Sequence, residues 1–408
     1  MNAKLIHKPT GREIPCETRN FDYSDYSIEL NYPSSSYSQI PYRRNGQLSL
    51  NDAEAFFQEC SLLFRHGEHD YKADINSYFT LFLGEFSKAI ISNVSICDIG
   101  NTLVDALFYI HHLSLNVDFY VEQEATSNLH FLYNGQKWNL SYAITDMKFG
   151  ELLDEGRSAE RSTKRTSACL HANHIHPAET KDIIANVSEI CWMLSLWRGK
   201  YVSWREMHYK SEDESKWHLA QFSNTAKSSE IILTRLSVRC LPTEFIEIIS
   251  HRFSEYKGSW GYTIYWLTRA LEYSDMGSIY MVLSMIYERV VSAIYCGNNE
   301  LQSTKNLYFK QRAQFCRDLA EGDYSDEKIG EIIHMRNAVM HGGDNSTKLF
   351  HCFNERHADI AKIVIATILA ALGYYGEFSF QQKVYRVANI YKKPQALAAS
   401  KLNFDFKD

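Results

Sequence analysis

Prolines are spread unevenly along this chain, and that unevenness limits what it can fold into. Four of the seven lie at positions 9, 15, 33 and 41, and Pro242 is the only one between 177 and 394. A proline inside a helix removes a hydrogen bond and clashes with the turn before it, at about 3 kcal/mol. The first 50 residues are therefore poor helix material, whereas the stretch after Pro242 is open to long helices. Pro242 itself suits the first turn of a helix. Apolar periodicity then predicts helices near 242–255, 260–274, 277–296, 305–320, 326–341 and 354–374. Gly297, Gly322, Gly342 and Gly343 fall between or after them, where C-caps belong. Short links between successive helices predict antiparallel packing in a bundle.

Before Pro242 the grammar is different. LIHK and SIELNY read as extended segments, and the Tyr/Ser/Pro run from Tyr32 to Tyr42 as turns. Asn51 is a candidate N-cap, and Ala53, Phe56, Phe57, Leu62 and Phe64 predict a helix over 51–66. Residues 78–96 favour strands by their branched and aromatic side chains. Residues 103–115 fit helix or strand equally. Asn134-Gly135 between two apolar runs predicts a two-residue hairpin turn. A helix is expected over about 179–196, and the segments around WRGKYVSWREMHY and WHLAQFSN read as strands. Residues 228–241 have no clear type, and the segment after 376 is of mixed character. The fold class is therefore α+β. A strand-rich domain over 1–240 precedes an all-α domain over 241–375, with a tail over 376–408.

Composition narrows the setting. The net charge of −6 is not that of a polycation, so contact with nucleic acid needs a local patch or a shaped site. Nine cysteines without a Cys-x-x-Cys pair suggest reduced thiols in the cytoplasm. MNAKLIHKPTGREIP has no apolar core and no cleavage site, so no signal peptide is expected. The longest apolar run, Ile363 to Tyr375, is too short to span a bilayer, and no membrane partner is expected. There is no phosphate-binding Gly-rich loop, GxSxG elbow or HExxH.

The stretch with the most chemistry is Ile329 to Gly343, IGEIIHMRNAVMHGG. It reads as the last turns of an amphipathic helix carrying Arg336, Asn337 and His341 before two glycines. On a helix Arg336 and His341 are about 140° apart and roughly 7.5 Å along the axis. Long side chains at that spacing can meet on one phosphate near a helix end. Glycine there lets an RNA backbone come close. Histidine can take or give a proton near neutral pH, and arginine binds phosphate through a planar fork. Arg336 and His341 in a last turn can also simply complement the helix dipole. Arg165 and His171 repeat a looser version of the spacing, in a segment that reads as loop.

The Arg-x4-His signature resembles that of the HEPN ribonuclease superfamily. The wider stretch, WGYTIYWLTRALEYSD followed by MGSIYMVLSMIYERVV, is similar to the core of its ApeA-like branch. The likeness covers 180–375 and is weak over 1–180. It implies a HEPN helical bundle whose catalytic residues are Arg336, His341 and Asn337, with no cofactor and no metal. It also implies a homodimer through the HEPN domain, or a higher oligomer, because two facing copies supply both a base and an acid. The implied activity is RNA cleavage, tRNA among the candidate substrates, in anti-phage defence by abortive infection. The first domain would sense or restrain, and a phage-derived trigger protein would be a partner. Two other functions compete: a non-catalytic HEPN module that binds RNA or protein, and the toxin of a toxin–antitoxin pair.

Two further groups compete for attention. Cys169, His171, His174 and His176 are zinc-ligand types within CLHANHIH, but four ligands from eight residues would strain a tetrahedral site. A polar His-rich loop is the competing reading. Trp192, Trp197, Trp204, Trp217, Trp260 and Trp266 read as core packing, and Glu288 as the partner of an arginine such as Arg269, Arg289 or Arg312.

Overall fold

The structure, a computed structural model, describes residues 2–22, 27–31, 56–66, 69–80, 87–96, 104–111, 113, 128–142, 168–176, 179–211, 218–222, 236–255, 257–272, 276–299, 308–319, 330, 332–333, 337, 361–381 and 383–389. It is mixed α+β, with strands dominating the first part and helices the second. The chain divides into two compact units, neither continuous in sequence. One holds Met1–Ile110, Cys169–Ile183 and Trp204–Ala226, and the other His111–Ala168, Ile184–Ser203 and Lys227–Asp408. Among the described residues no helix is long and apolar enough to cross a membrane.

The first unit is built on antiparallel strands β1 (Asn2–His7), β2 (Arg12–Asp22), β3 (Ser27–Asn31), β4 (Cys60–His66), β5 (His69–Thr80) and β6 (Ser87–Ile96). They run in the order β3-β2-β1-β4-β5-β6, and β3 also pairs with β6, through Ser27 to Leu30 against Ile90 to Ser87. These six strands therefore close into a barrel, which leaves no open edge among them. Register shifts within β2–β3 and β5–β6 supply the bends that closure needs. Period-two burial fills the inside: Leu5, Ile14, Cys16, Ile28, Leu30, Leu62, Phe64, Ala73, Ile75 and Ile91 are all buried, while Glu13, Glu17 and Arg19 face out. Beyond β3, the free end of β6 pairs with β12 (His218–Phe222), through Val94 and Ser95. The sheet continues through β11 (Ser203–Ser211), β7 (Val104–His111) and β10 (Ala168–Ile175).

The helix expected over 51–66 is corrected here. Residues 56–58 make one helical turn and β4 begins at Cys60. Leu62 and Phe64 satisfy a period of two as well as a helical stripe. Pairing with β1 and β5 on either side decides between them. His7 secures the junction, with its ring stacked on Phe56 at 4.9 Å and its Nε2 3.1 Å from Glu59.

The second unit contains the hairpin of β8 (Asn128–Tyr133) and β9 (Gln136–Tyr142). Asn134 and Gly135 turn it with φ of 48° and 77°, as a two-residue turn with left-handed residues requires. The hairpin meets helix α1 (Thr180–Arg198): Tyr133 donates to the Glu189 carboxylate, and Asn134 Nδ2 to Asn186 Oδ1 at 2.8 Å. Helices α2 (Pro242–Glu255), α3 (Lys257–Glu272), α4 (Met276–Asn298) and α5 (Phe309–Leu319) follow, then a helix over residues 361–371. That last helix is buried almost all round, as its apolar sequence demands. Arg252 of α2 donates to its Ala371 carbonyl at 3.0 Å, placing positive charge at a helix C-terminus. Gly373, at φ 86°, ends it with paired Gly373-to-Ala370 and Tyr374-to-Leu369 backbone bonds.

The segment after 376 is no loose tail at its start. β14 (Glu377–Phe380) pairs with β15 (Lys383–Arg386) and with β13 (Leu236–Val238). Strands from before Pro242 and after residue 376 thus form one small sheet within the second unit.

Candidate functional site

Among residues 329–343 the structure describes 330, 332, 333 and 337, and all four are helical. Ile332 is 1% exposed, whereas Gly330 and Asn337 face solvent. Buried Ile332 and exposed Asn337 fit the amphipathic pattern expected of this stretch. Arg336 and His341, with Gly342 and Gly343, lie outside the described residues. So do 150–167 with Arg165, which carries the competing looser pattern. Its second member, His171, lies on a strand, so that spacing does not end a helix there.

In the same unit Glu288 finds its arginine. Arg312 of α5 reaches Glu288 of α4 at 3.1 Å, and also donates to the Ser292 hydroxyl, which in turn donates to the Glu288 carbonyl. The Arg312 guanidinium lies 5.9 Å from the Phe309 ring. This cluster joins α4 to α5 and is structural in character. The side chains are 11% (Arg312) and 27% (Glu288) exposed, so water reaches the carboxylate more than the guanidinium. Arg312→Met is expected to cost about 3 kcal/mol, the low end for breaking a buried pair. Glu288→Met added to it should return most of that loss. Denaturant midpoints of the single and double variants check this.

The His-rich segment is corrected from loop to strand. Ala168, Leu170 and Ala172 are buried and alternate with the half-buried Cys169 and His171. This period-two pattern is present in ACLHANHI but is hidden by the small size of its alanines. His174, at φ 56°, breaks the alternation, and Ile175 returns to the buried side. The His174 amide donates to Asp105 Oδ1 of β7 at 3.0 Å, and the His176 amide to Glu179 at 3.3 Å. The four candidate ligands are therefore split. Cys169 and His171 share one face, while His174 lies beyond the break. Among the described residues no three His, Cys, Asp or Glu side chains are arranged to hold a metal ion. Burial pushes the Cys169 thiol up to about 11, away from the thiolate that zinc binds.

What sequence reasoning missed is the company His171 keeps. Burial pulls its pKa below the ordinary value, with Asp105 opposing that shift and Lys210 of β11 adding to it. Glu206 and His208 lie on β11 beside Lys210, 3.0 Å apart. Alternation in VDALFYIH and SWREMHYKS was the available signal. Burial raises Cys16, Cys60 and Cys240 to about 12 and Cys316 further still, which disfavours the thiolate at these four.

The tryptophans divide. Trp197, Trp204 and Trp260 are buried, Trp192 and Trp266 are half-buried, and Trp217 lies outside the described residues. Trp197 Nε1 donates to the Cys240 carbonyl at 2.9 Å, so this ring packs and also ties α1 to the segment entering α2. Comparison with family models, with curated proteins and with solved structures found no match.

Proposed function

We propose that this protein is a metal-independent endoribonuclease of the HEPN type, resembling the ApeA-like branch and acting in cytoplasmic anti-phage defence. What supports the reading is Arg336-Asn337-x3-His341 in a stretch whose described residues are helical, with Ile332 buried and Asn337 exposed. Two copies of the chain would face each other as a homodimer, with a phosphodiester of RNA between them. The imidazole of one His341 removes the proton from the 2′-hydroxyl, which attacks the adjacent phosphorus. The other His341, protonated, gives its proton to the departing 5′-oxygen. Arg336 neutralises the charge that builds on the phosphorane oxygens, and Asn337 orients an oxygen or the imidazole. The products are a 2′,3′-cyclic phosphate and a 5′-hydroxyl. The first unit senses a phage-derived trigger and restrains the site until then.

The test is to incubate the purified full-length protein with total RNA and a chelator, with and without lysate from phage-infected cells. Cleavage giving 2′,3′-cyclic phosphate ends, and lost in His341→Ala, is expected. RNA that is retained but stays intact under both conditions would overturn the proposal in favour of a binding module. Growth arrest on expression alone, relieved by a neighbouring gene product, would point to a toxin instead.

A further inference from the structure

The outer face of α3 carries a feature that the proposed chemistry does not use. Tyr262, Tyr265, Trp266 and Arg269 follow the i, i+3, i+4, i+7 spacing that puts side chains on one helical stripe. Tyr262 is 61% exposed, an unusual position for a large aromatic, and the other three are half-buried. The rings are braced from the side. Tyr265 meets Trp266 at 5.6 Å and 77°, Trp192 at 6.1 Å and 88°, and Tyr201 at 6.0 Å and 89°. Each edge-to-face contact sets one ring's edge against the other's face and fixes the rings at an angle, while Tyr262 keeps most of its surface in solvent. Trp192 is seated close against the helix because Gly261 has no side chain: a Cβ there would lie 3.1 Å from the indole nitrogen. The Arg269 guanidinium lies 5.4 Å from the Tyr265 ring centre, and it is the one charged group among the described side chains of α3.

We propose that this stripe is a stacking platform for unpaired bases of single-stranded RNA, with Arg269 directed to the adjoining phosphate. Flat aromatic faces beside a cation suit a strand whose bases are splayed and whose backbone is negative. A second copy of this chain fits less well. Aromatic residues present 150–250 Å² each when fully counted, so the partly covered stripe offers on the order of 300 Å², against about 800 Å² per partner in a stable interface. The proposal rests on the nuclease reading only in taking RNA as the ligand.

The experiment uses the full-length His341→Ala protein, so that RNA stays intact, with a fluorescent unstructured RNA 12-mer and a blunt duplex of equal length. Tyr262→Ala is expected to weaken single-strand binding about tenfold, within the range for losing one stacked base. Tyr262→Phe should bind like the parent, because it keeps the ring. Arg269→Gln should weaken binding and lower the salt dependence by about one phosphate contact. Duplex binding should be the same for all. Equal single-strand affinity for Tyr262→Ala and its parent overturns the platform, as does an absence of single-strand binding. So does a fall in oligomer mass in Tyr262→Ala with RNA affinity unchanged, which would assign the face to protein. Tyr262-dependent binding by a protein that never cuts would sink the nuclease reading and keep the platform. Cutting without Tyr262 dependence would do the reverse.

Discussion

His341→Ala is expected to slow RNA cleavage by about 10²–10⁴-fold, the range that a positioned general acid or base supplies. In the proposed dimer one substitution removes both imidazoles, so base and acid are lost together. The wild-type rate should pass through a maximum with pH, because one imidazole must be neutral and the other protonated. Arg336→Lys keeps the charge but loses the planar fork, so it should fall between wild type and Arg336→Ala. Asn337→Ala removes an exposed helical side chain and should cost about tenfold or more if its amide contacts a charged group. Single-turnover rates in chelator across pH 5 to 9 are the measurement. Cleavage by His341→Ala at the wild-type rate would remove the histidine from the mechanism.

Gly199→Ala is expected to be strongly destabilising, because it meets both a backbone penalty and a backbone neighbour. Gly199 ends α1 at φ 67°, with the Gly199 amide bonded to the Leu196 carbonyl and Lys200 to Ser195. That left-handed conformation costs an L-residue about 1–2 kcal/mol. The methyl would also sit 2.5 Å from Leu236 Cβ and 2.6 Å from its carbonyl oxygen. Part of that neighbour is backbone in β13, which yields less readily than a side-chain tip. Overpacking adds about 1–3 kcal/mol, for a total of about 2–5 kcal/mol. Gly135 is the control: its φ is 77°, but nothing lies within 4 Å of the added carbon. Gly135→Ala should lose only the conformational part, about 1 kcal/mol. Calorimetric melting of the two variants separates the terms, and equal losses would show that the approach of Leu236 does not matter.

Much of the local structure was legible. Asn134-Gly135 announced its turn because few other residues adopt left-handed angles at low cost. α1 through α4 followed from apolar spacing and from the lack of prolines. Glu288 was readable as an arginine's partner, though not which arginine, because α5 brings Arg312 across a gap of 24 residues. Two stretches misled. At 51–66 the same apolar positions fit two periods, and neighbouring strands chose between them; at 168–175 small alanines at the buried positions hid the alternation and the segment read as a loop. The α3 stripe was visible as aromatics, but the exposure of Tyr262 was not, since a spacing does not say which face is covered.

Residue chemistry alone marked where helices can run, where hairpins turn, and which guanidinium and imidazole could meet a phosphate. These depend on preferences within a few residues of each other. The closure of β3 on β6, the joining of β13 to β14 across Pro242 and the helices after it, and the gathering of Asp105, His171 and Lys210 were decided by tertiary structure. Each brings together segments tens to more than a hundred residues apart. Such contacts depend on the shape of everything packed between them, and no local pattern carries that information.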